Sequence, residues 1–181
     1  PSYPFDTETG QSERAMTYYS HGAYAVEVGV NVETGEVRVN KACGAFDMGQ
    51  PISVAACQGQ IQGGLGMGIG GALYEEMLTD GRGLTLNPSF ADYKIPRAQD
   101  MSLLPDTLSA ITPVSHKEGP FGAKGFGEAC LTAVAPAIAN AVQDATGLRI
   151  KDLPITKEKM RKALNEVSTG ACFGEIGHPV K

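Results

Sequence analysis

The chain has no tryptophan, and aromatic residues make up only 7% of its 181 residues. Stacking the bases of a single-stranded nucleic acid needs such rings, so their scarcity argues against that ligand. Positive charge is short as well: 15 Lys and Arg stand against 20 Asp and Glu, leaving a net charge of −5. A protein that grips the phosphate backbone needs a basic face, and this composition argues against one. The four cysteines (Cys43, Cys57, Cys130 and Cys172) form no C-x-x-C pair and no Cys/His cluster, which excludes the usual zinc and iron–sulfur signatures within the chain. At this length no disulfide scaffold is needed, so reduced thiols in a cytoplasmic protein are expected. The opening residues lack both a basic stretch and an apolar stretch, and no secretory leader is expected there.

What remains is an ordinary globular composition, 42% apolar and 19% charged, sufficient for one compact domain or two small lobes. From Tyr18 to Val39 the chain reads as a β-hairpin: Tyr24, Val26, Val28, Val30 and Val32 alternate with smaller or polar residues. Glu33, Thr34 and Gly35 make the turn, and Val37 and Val39 resume the period of two. A loop, GAFDMGQPI, is expected after Cys43. Over 53–77, Ile61, Leu65, Ile69, Leu73 and Met77 recur every fourth residue as a helical stripe. Further on, 93–96 reads as a short strand or extended turn and Thr107–Val114 as a strand. Ala133–Thr146 is an Ala-rich buried helix stopped by Gly147, Leu148–Leu153 a brief strand, and Thr156–Val167 an amphipathic helix capped by Thr156.

The abundant residue is glycine, 23 in all, and it is concentrated. Gly59, Gly63, Gly64, Gly66, Gly68, Gly70 and Gly71 fall within the first helix. At about 0.5–1 kcal/mol each against alanine they cost roughly 4–7 kcal/mol, acceptable only where something approaches the backbone closely. A second helix or a bound cofactor would both qualify. Ser53–Tyr74 runs 22 residues without a charge, but its glycines and Gln58, Gln60 and Gln62 make it too polar for a membrane span. Gly66–Gly71 satisfies G-x-G-x-x-G; a dinucleotide site there would require a strand ending just before Gly66, and no hydrophobic strand precedes it. Gln60 is either a helix-surface residue or an amide for a ligand rich in ring nitrogens, since an amide both donates and accepts. A second glycine-rich run, GPFGAKGFGE at 119–128, bares backbone N–H groups suited to an anionic group. Glu128 at its end is either a helix-terminal acid or a general base, and Lys124 either neutralises a phosphate or is solvated. His21, His116 and His178 have no partner spacing, and no G-x-S-x-G or Cys/His pairing marks a nucleophile.

The motifs YYSHGAYAVEVGVNVETGEVRV, DMGQPI, GQIQGGLGMGIGGALYEE, YKIP, GPFGAKGFGEACL and AIANAVQDATGLRI, in that order over about residues 17–165, closely resemble the C-terminal part of the molybdenum-binding subunit of the xanthine dehydrogenase/aldehyde oxidase family. The resemblance implies an α+β fold of molybdenum cofactor-binding type, with antiparallel strands packed on the glycine-rich helix and further helices. It implies a molybdopterin-binding domain over 17–167; the polar, turn-rich residues 1–16 read as a lead-in segment and 168–181 as a loose tail that matches nothing in the family. It implies a molybdenum–molybdopterin cofactor, in the cytosine dinucleotide form usual for bacteria, contacted by Gln60 and wrapped by Gly122, Ala123, Lys124, Gly125, Phe126 and Gly127, with no metal ligand from this chain. Glu128 falls on the family's catalytic glutamate, which acts as general base on the molybdenum-bound hydroxyl during hydroxylation of an electron-poor carbon in an N-heterocycle or aldehyde. Implied partners are the N-terminal half of the subunit and chains carrying iron–sulfur clusters and FAD, with no nucleic acid and no membrane; this chain alone is expected to have no turnover. After Glu128 the chain reads Ala129–Cys130–Leu131, where many members of the family carry a proline-containing run. The rival reading is a non-catalytic cofactor-binding or assembly module of the same fold.

Overall fold

The computed structural model describes residues 4–12, 14, 16–101 and 107–168. Alternation along β1 (Gly22–Val30) sets Tyr24, Val26, Val28 and Val30 against the core, and β1 pairs antiparallel with β2 (Val37–Phe46) as the hairpin pattern predicts. The second strand runs further than expected and takes in Gly44, Ala45 and Phe46. Val28 pairs with Val39 and Glu27 with Lys41, so Asn40 is an extra, unpaired residue. This bulge switches the inward face from Val37 and Val39 to Ala42, Gly44 and Phe46, which is why the period of two breaks at Val39.

Ser53 caps helix α1 (Val54–Leu73), its hydroxyl accepting from the Ala56 N–H at 3.3 Å. The helix ends one turn before Met77, which is exposed. Buried Asn87 captures the chain there: its Oδ1 accepts from the Leu78 N–H (2.9 Å) and its Nδ2 donates to the Glu76 carbonyl (2.7 Å). Residues 93–96 form turn and coil, and a short helix α2 (Ala98–Met101) follows. Strand β3 (Leu108–Ile111) then joins β2 in parallel on the side away from β1, the long connection through α1 supplying the crossover. The expected α+β class therefore holds, with a mixed three-stranded sheet, β1–β2–β3, rather than a purely antiparallel one.

Helix α3 (Val134–Thr146) buries Val134, Ile138 and Val142 against β1 and α1, and Gly147 closes it in the left-handed conformation with φ 75°. Residues 148–153 form no strand. Leu148 and Ile150 instead pack on the core from an irregular segment that ends in a cis Leu153–Pro154 bond. Thr156 caps α4 (Lys157–Ser168), which buries Met160; residues 169–181 of the expected tail lie outside the described residues. Among the described residues no helix is long and apolar enough to cross a membrane. Gly66–Gly71 lies inside α1 with no strand before it, which overturns the dinucleotide-site reading.

The core joins Leu65, Ile69, Ala72 and Leu73 of α1 to Val37, Val39 and Ala42 of β2 and to the inner face of α3. A Cβ at Gly68 would collide with the Val134 side chain, and one at Gly64 with Cys130, so these two glycines set how closely the segment leading into α3 approaches α1. Gly59, Gly63 and Gly71 face open space. Gly68→Ala is therefore expected to destabilise the protein by about 1–3 kcal/mol through overpacking. Gly71→Ala should stabilise it by roughly 0.5–1 kcal/mol through helix propensity alone. Denaturant unfolding of the two variants beside the parent checks both signs.

Candidate functional site

The loop at 119–127 is held in shape by backbone and side chains from three other segments. Gly122 sits at φ 80° beside Phe121 at φ 53°, and its carbonyl accepts from the N–H groups of Gln50 (2.8 Å) and His116 (2.9 Å). Only glycine adopts that turn without strain, whereas Phe121 takes the left-handed conformation as an aromatic residue and is 90% exposed. The Lys124 N–H donates to the Met48 carbonyl at 2.9 Å, which ties the loop to the residues just past β2.

The Lys124 ammonium is neither solvated nor free for a phosphate. It donates to Asp47 Oδ2 at 2.6 Å and to the Tyr19 carbonyl at 2.8 Å, and the two charged side chains are only 9% and 17% exposed. Asp47 Oδ1 accepts in turn from the Gly49 N–H at 2.9 Å, a local turn that pre-sets the carboxylate. Burial alone would raise the Asp47 carboxyl, but the Lys124 ammonium and the Gly49 N–H outweigh it and hold the group below the ordinary carboxylate value. One step along, the Gly125 N–H donates to the Tyr18 hydroxyl at 2.6 Å, and a Cβ on Gly125 would strike that oxygen.

Met48–Ser53, the first turns of α1 and the glycine loop enclose a hollow of about 270 Å³. Gln60, Ala123, Lys124 and Phe126 line it, together with Gln50, Ser53 and Cys57. Phe126 also stacks edge-on against Phe46, ring centroids 5.5 Å apart, which seats the loop on the sheet. Gly122, Gly125 and Gly127 belong to the same loop but not to the lining of the hollow. A larger hollow of about 600 Å³ is bounded by Arg14, Met16, Thr17, Tyr18, Tyr19, His21, His116 and Lys124; its arginine and lysine are already engaged, Arg14 with Glu118 at 2.7 Å and Lys124 with Asp47.

Gln60 and Glu128, 68 positions apart in sequence, lie on touching segments. Both are exposed, and Glu128 is outside the lining of the smaller hollow, on the turn between the loop and α3, where its carbonyl accepts from the Leu131 N–H at 3.1 Å. Two residues on, the Cys130 thiol donates to the Gln60 carbonyl at 2.9 Å. Sequence reasoning missed Asp47, Tyr18 and Cys130. The Asp47 turn was readable from D-x-G; nothing local to Tyr18 or Cys130 marks a partner 107 or 70 residues away. Among the described residues no three His, Cys, Asp or Glu side chains gather to hold a metal ion.

The profile of the molybdopterin cofactor-binding domain matches residues 2–102. The putative xanthine dehydrogenase molybdenum-binding subunit of Escherichia coli is 37% identical over 140 residues, covering 77% of this chain and 18% of that protein. The aldehyde oxidoreductase molybdenum-binding subunit of the same organism is 37% identical over 166 residues, covering 88% and 22%. Among solved structures, the aldehyde oxidoreductase from Desulfovibrio gigas superposes with a TM-score of 0.74 at 35% identity, over 87% of this chain and 16% of that one. The chain spans about a fifth of the length of the curated relatives it matches.

The Asp47–Lys124 pair makes a pH prediction. A carboxyl held below its unfolded value stabilises the fold above about pH 4 and loses that contribution as the pH falls through its folded value. Asp47→Asn leaves the Lys124 ammonium without its counter-charge and should cost about 1–3 kcal/mol at neutral pH. Thermal unfolding of parent and variant from pH 7 to pH 3 should show that gap closing on the acid side.

Proposed function

The chain belongs to the molybdopterin cofactor-binding domain family, and on that premise we propose that it forms one wall of the active site of a molybdenum hydroxylase of the xanthine dehydrogenase/aldehyde oxidase type. The observation that carries this reading is the shared hollow, which gathers Gln60 with Ala123, Lys124 and Phe126 of the glycine loop while the turn bearing Glu128 is bonded to the Gln60 backbone. The polar lining suits a pterin: Gln50 and Gln60 supply amides that both donate and accept and Ser53 a hydroxyl, whereas the loop N–H groups of Ala123, Lys124 and Gly125 are already committed to Pro120, Met48 and Tyr18. At about 270 Å³ the hollow falls short of the roughly 300–1,000 Å³ of a complete small-molecule site. The missing wall is supplied by the remainder of the molybdenum-binding subunit, and exposed Ile52 in the lining and exposed Phe121 on the glycine loop fit a surface completed by other protein.

Gln60, Gly122, Ala123, Lys124, Gly125, Phe126 and Gly127 hold the molybdopterin, in its cytosine dinucleotide form. Lys124 acts here through its backbone carbonyl, because its ammonium is committed to Asp47 and its N–H to Met48. When bound, the cofactor supplies a redox metal that activates a water-derived oxygen and takes up an electron pair. Glu128 is the general base: its carboxylate accepts the proton of the attacking hydroxyl, assistance worth about 10²–10⁴-fold. The substrate is an electron-poor carbon of an N-heterocycle or aldehyde. Partner chains in the cytoplasm would carry the iron–sulfur and flavin groups that accept the electrons, and this chain alone does not turn over substrate.

In the complete subunit assembled with its partner chains, Glu128→Gln should lower substrate oxidation by about 10²–10⁴-fold while molybdenum and pterin content stay at the parent level. Undiminished oxidation would reassign Glu128 to the helix terminus, and an assembled complex without metal or pterin would remove the enzyme reading altogether.

A further inference from the structure

Cys130 has a use that neither the loop nor the base accounts for. Its side chain is fully buried, and its Sγ lies 2.9 Å from the Gln60 carbonyl oxygen and 3.5 Å from that of Gly127. Inside α1 the Gln60 carbonyl is already committed to the Gly64 N–H, so the thiol takes its second lone pair. It gets there because Gly64 has no side chain: a Cβ at that position would occupy the place of the sulfur. The next carbonyl along the helix, that of Ile61, accepts from the Tyr24 hydroxyl at 3.1 Å. Consecutive carbonyls of one helical turn are therefore held by donors from two different elements, Tyr24 on β1 and Cys130 on the turn after Glu128. Burial pushes the Cys130 thiol up, so it remains an S–H donor at neutral pH.

We infer that Cys130 is a positioning residue that fixes Glu128 relative to Gln60 through a buried thiol-to-carbonyl bond made possible by Gly64. The inference rests on the proposed function above, which makes Glu128 the base and Gln60 a cofactor contact. The thiol touches neither substrate nor cofactor. It anchors the turn two residues downstream of the carboxylate to the helical turn that carries the amide, and so sets the distance between proton acceptor and cofactor wall. A displacement of about 1 Å in such a group can cost on the order of 10²-fold in rate. A serine hydroxyl can donate to the same carbonyl, whereas alanine cannot.

The test uses the complete subunit with its partner chains and cofactor, and the variants Cys130→Ala, Cys130→Ser and Gly64→Ala. Cys130→Ala should lower kcat by about 10–100-fold with KM and pterin content held near the parent values, and Cys130→Ser should recover most of that loss. A readout independent of turnover is alkylation by iodoacetamide followed by peptide mass spectrometry. In the parent, Cys130 should label only once the complex is denatured; in Gly64→Ala the displaced Cys130 thiol should label in the folded complex. An unchanged kcat in Cys130→Ala, a serine variant no better than alanine, or Cys130 labelling in the folded parent complex would each overturn the assignment. The labelling decides even where an alanine variant fails to accumulate. Failure of the proposed function itself reads differently: Glu128→Gln then keeps its activity, or the parent carries no pterin, whatever the labelling shows.

Discussion

Two bare positions on α1, Gly64 and Gly68, let the turn after the glycine loop and the start of α3 lie directly against the helix backbone. The rest of the architecture depends on that close approach. It brings Val134 and Ile138 onto Leu65 and Ile69, which makes the core continuous from the sheet through α1 to α3. It also brings residue 130 within hydrogen-bonding reach of residue 60, so the contact that closes the core aligns the two segments carrying the candidate chemistry. Filling either position with a side chain would open the core and the site together, because one surface serves both.

The loop at 119–127 is shaped by a different set of forces. Its glycines suggest freedom, yet nearly every turn of it is tied down: Gly122 to residues 50 and 116, Lys124 to Asp47 and Tyr19, Gly125 to Tyr18. The ties fix the shape of the loop within the chain itself, so under the proposed function little ordering entropy would be lost on binding. A lysine in a glycine-rich loop invites a phosphate-binding reading. Here its charge is spent inside the protein, where a buried pair holds the loop against the end of β2.

Much of the fold was legible because its signals are local. The inward residues of β1, the Ile61–Leu65–Ile69–Leu73 stripe, the Gly147 stop and the Thr156 cap each follow from spacing within a few residues. What escaped was set at a distance. Asn87 ends α1 before Met77 from ten positions away, and the Asn40 bulge hides the second half of β2 behind a reversed period. Residues 148–153 carry a strand-like pattern but pack on the core as an irregular segment instead. For the site, the glycine loop and Gln60 stood out by composition, whereas the partners that hold them in place are ordinary residues, Tyr18, Asp47 and Cys130, whose importance arises only once the chain has folded.

The glycines of α1 then divide into two kinds, and the division bears on what the helix is for. Gly64 and Gly68 are offset by internal packing, since the core could not close without them. Gly59, Gly63 and Gly71 each weaken the helix by roughly 0.5–1 kcal/mol against alanine, and a Cβ at any of them would meet nothing among the described residues. Gly59 adjoins Gln60, and the whole helix carries no charged residue although much of its first half is exposed. A helix face that stays uncharged, side-chain-poor and open has no reason for that composition in a free-standing domain. It has one in a wall of a larger site, where another body must lie against the backbone and where a charge with no partner would be buried at a cost of several kcal/mol.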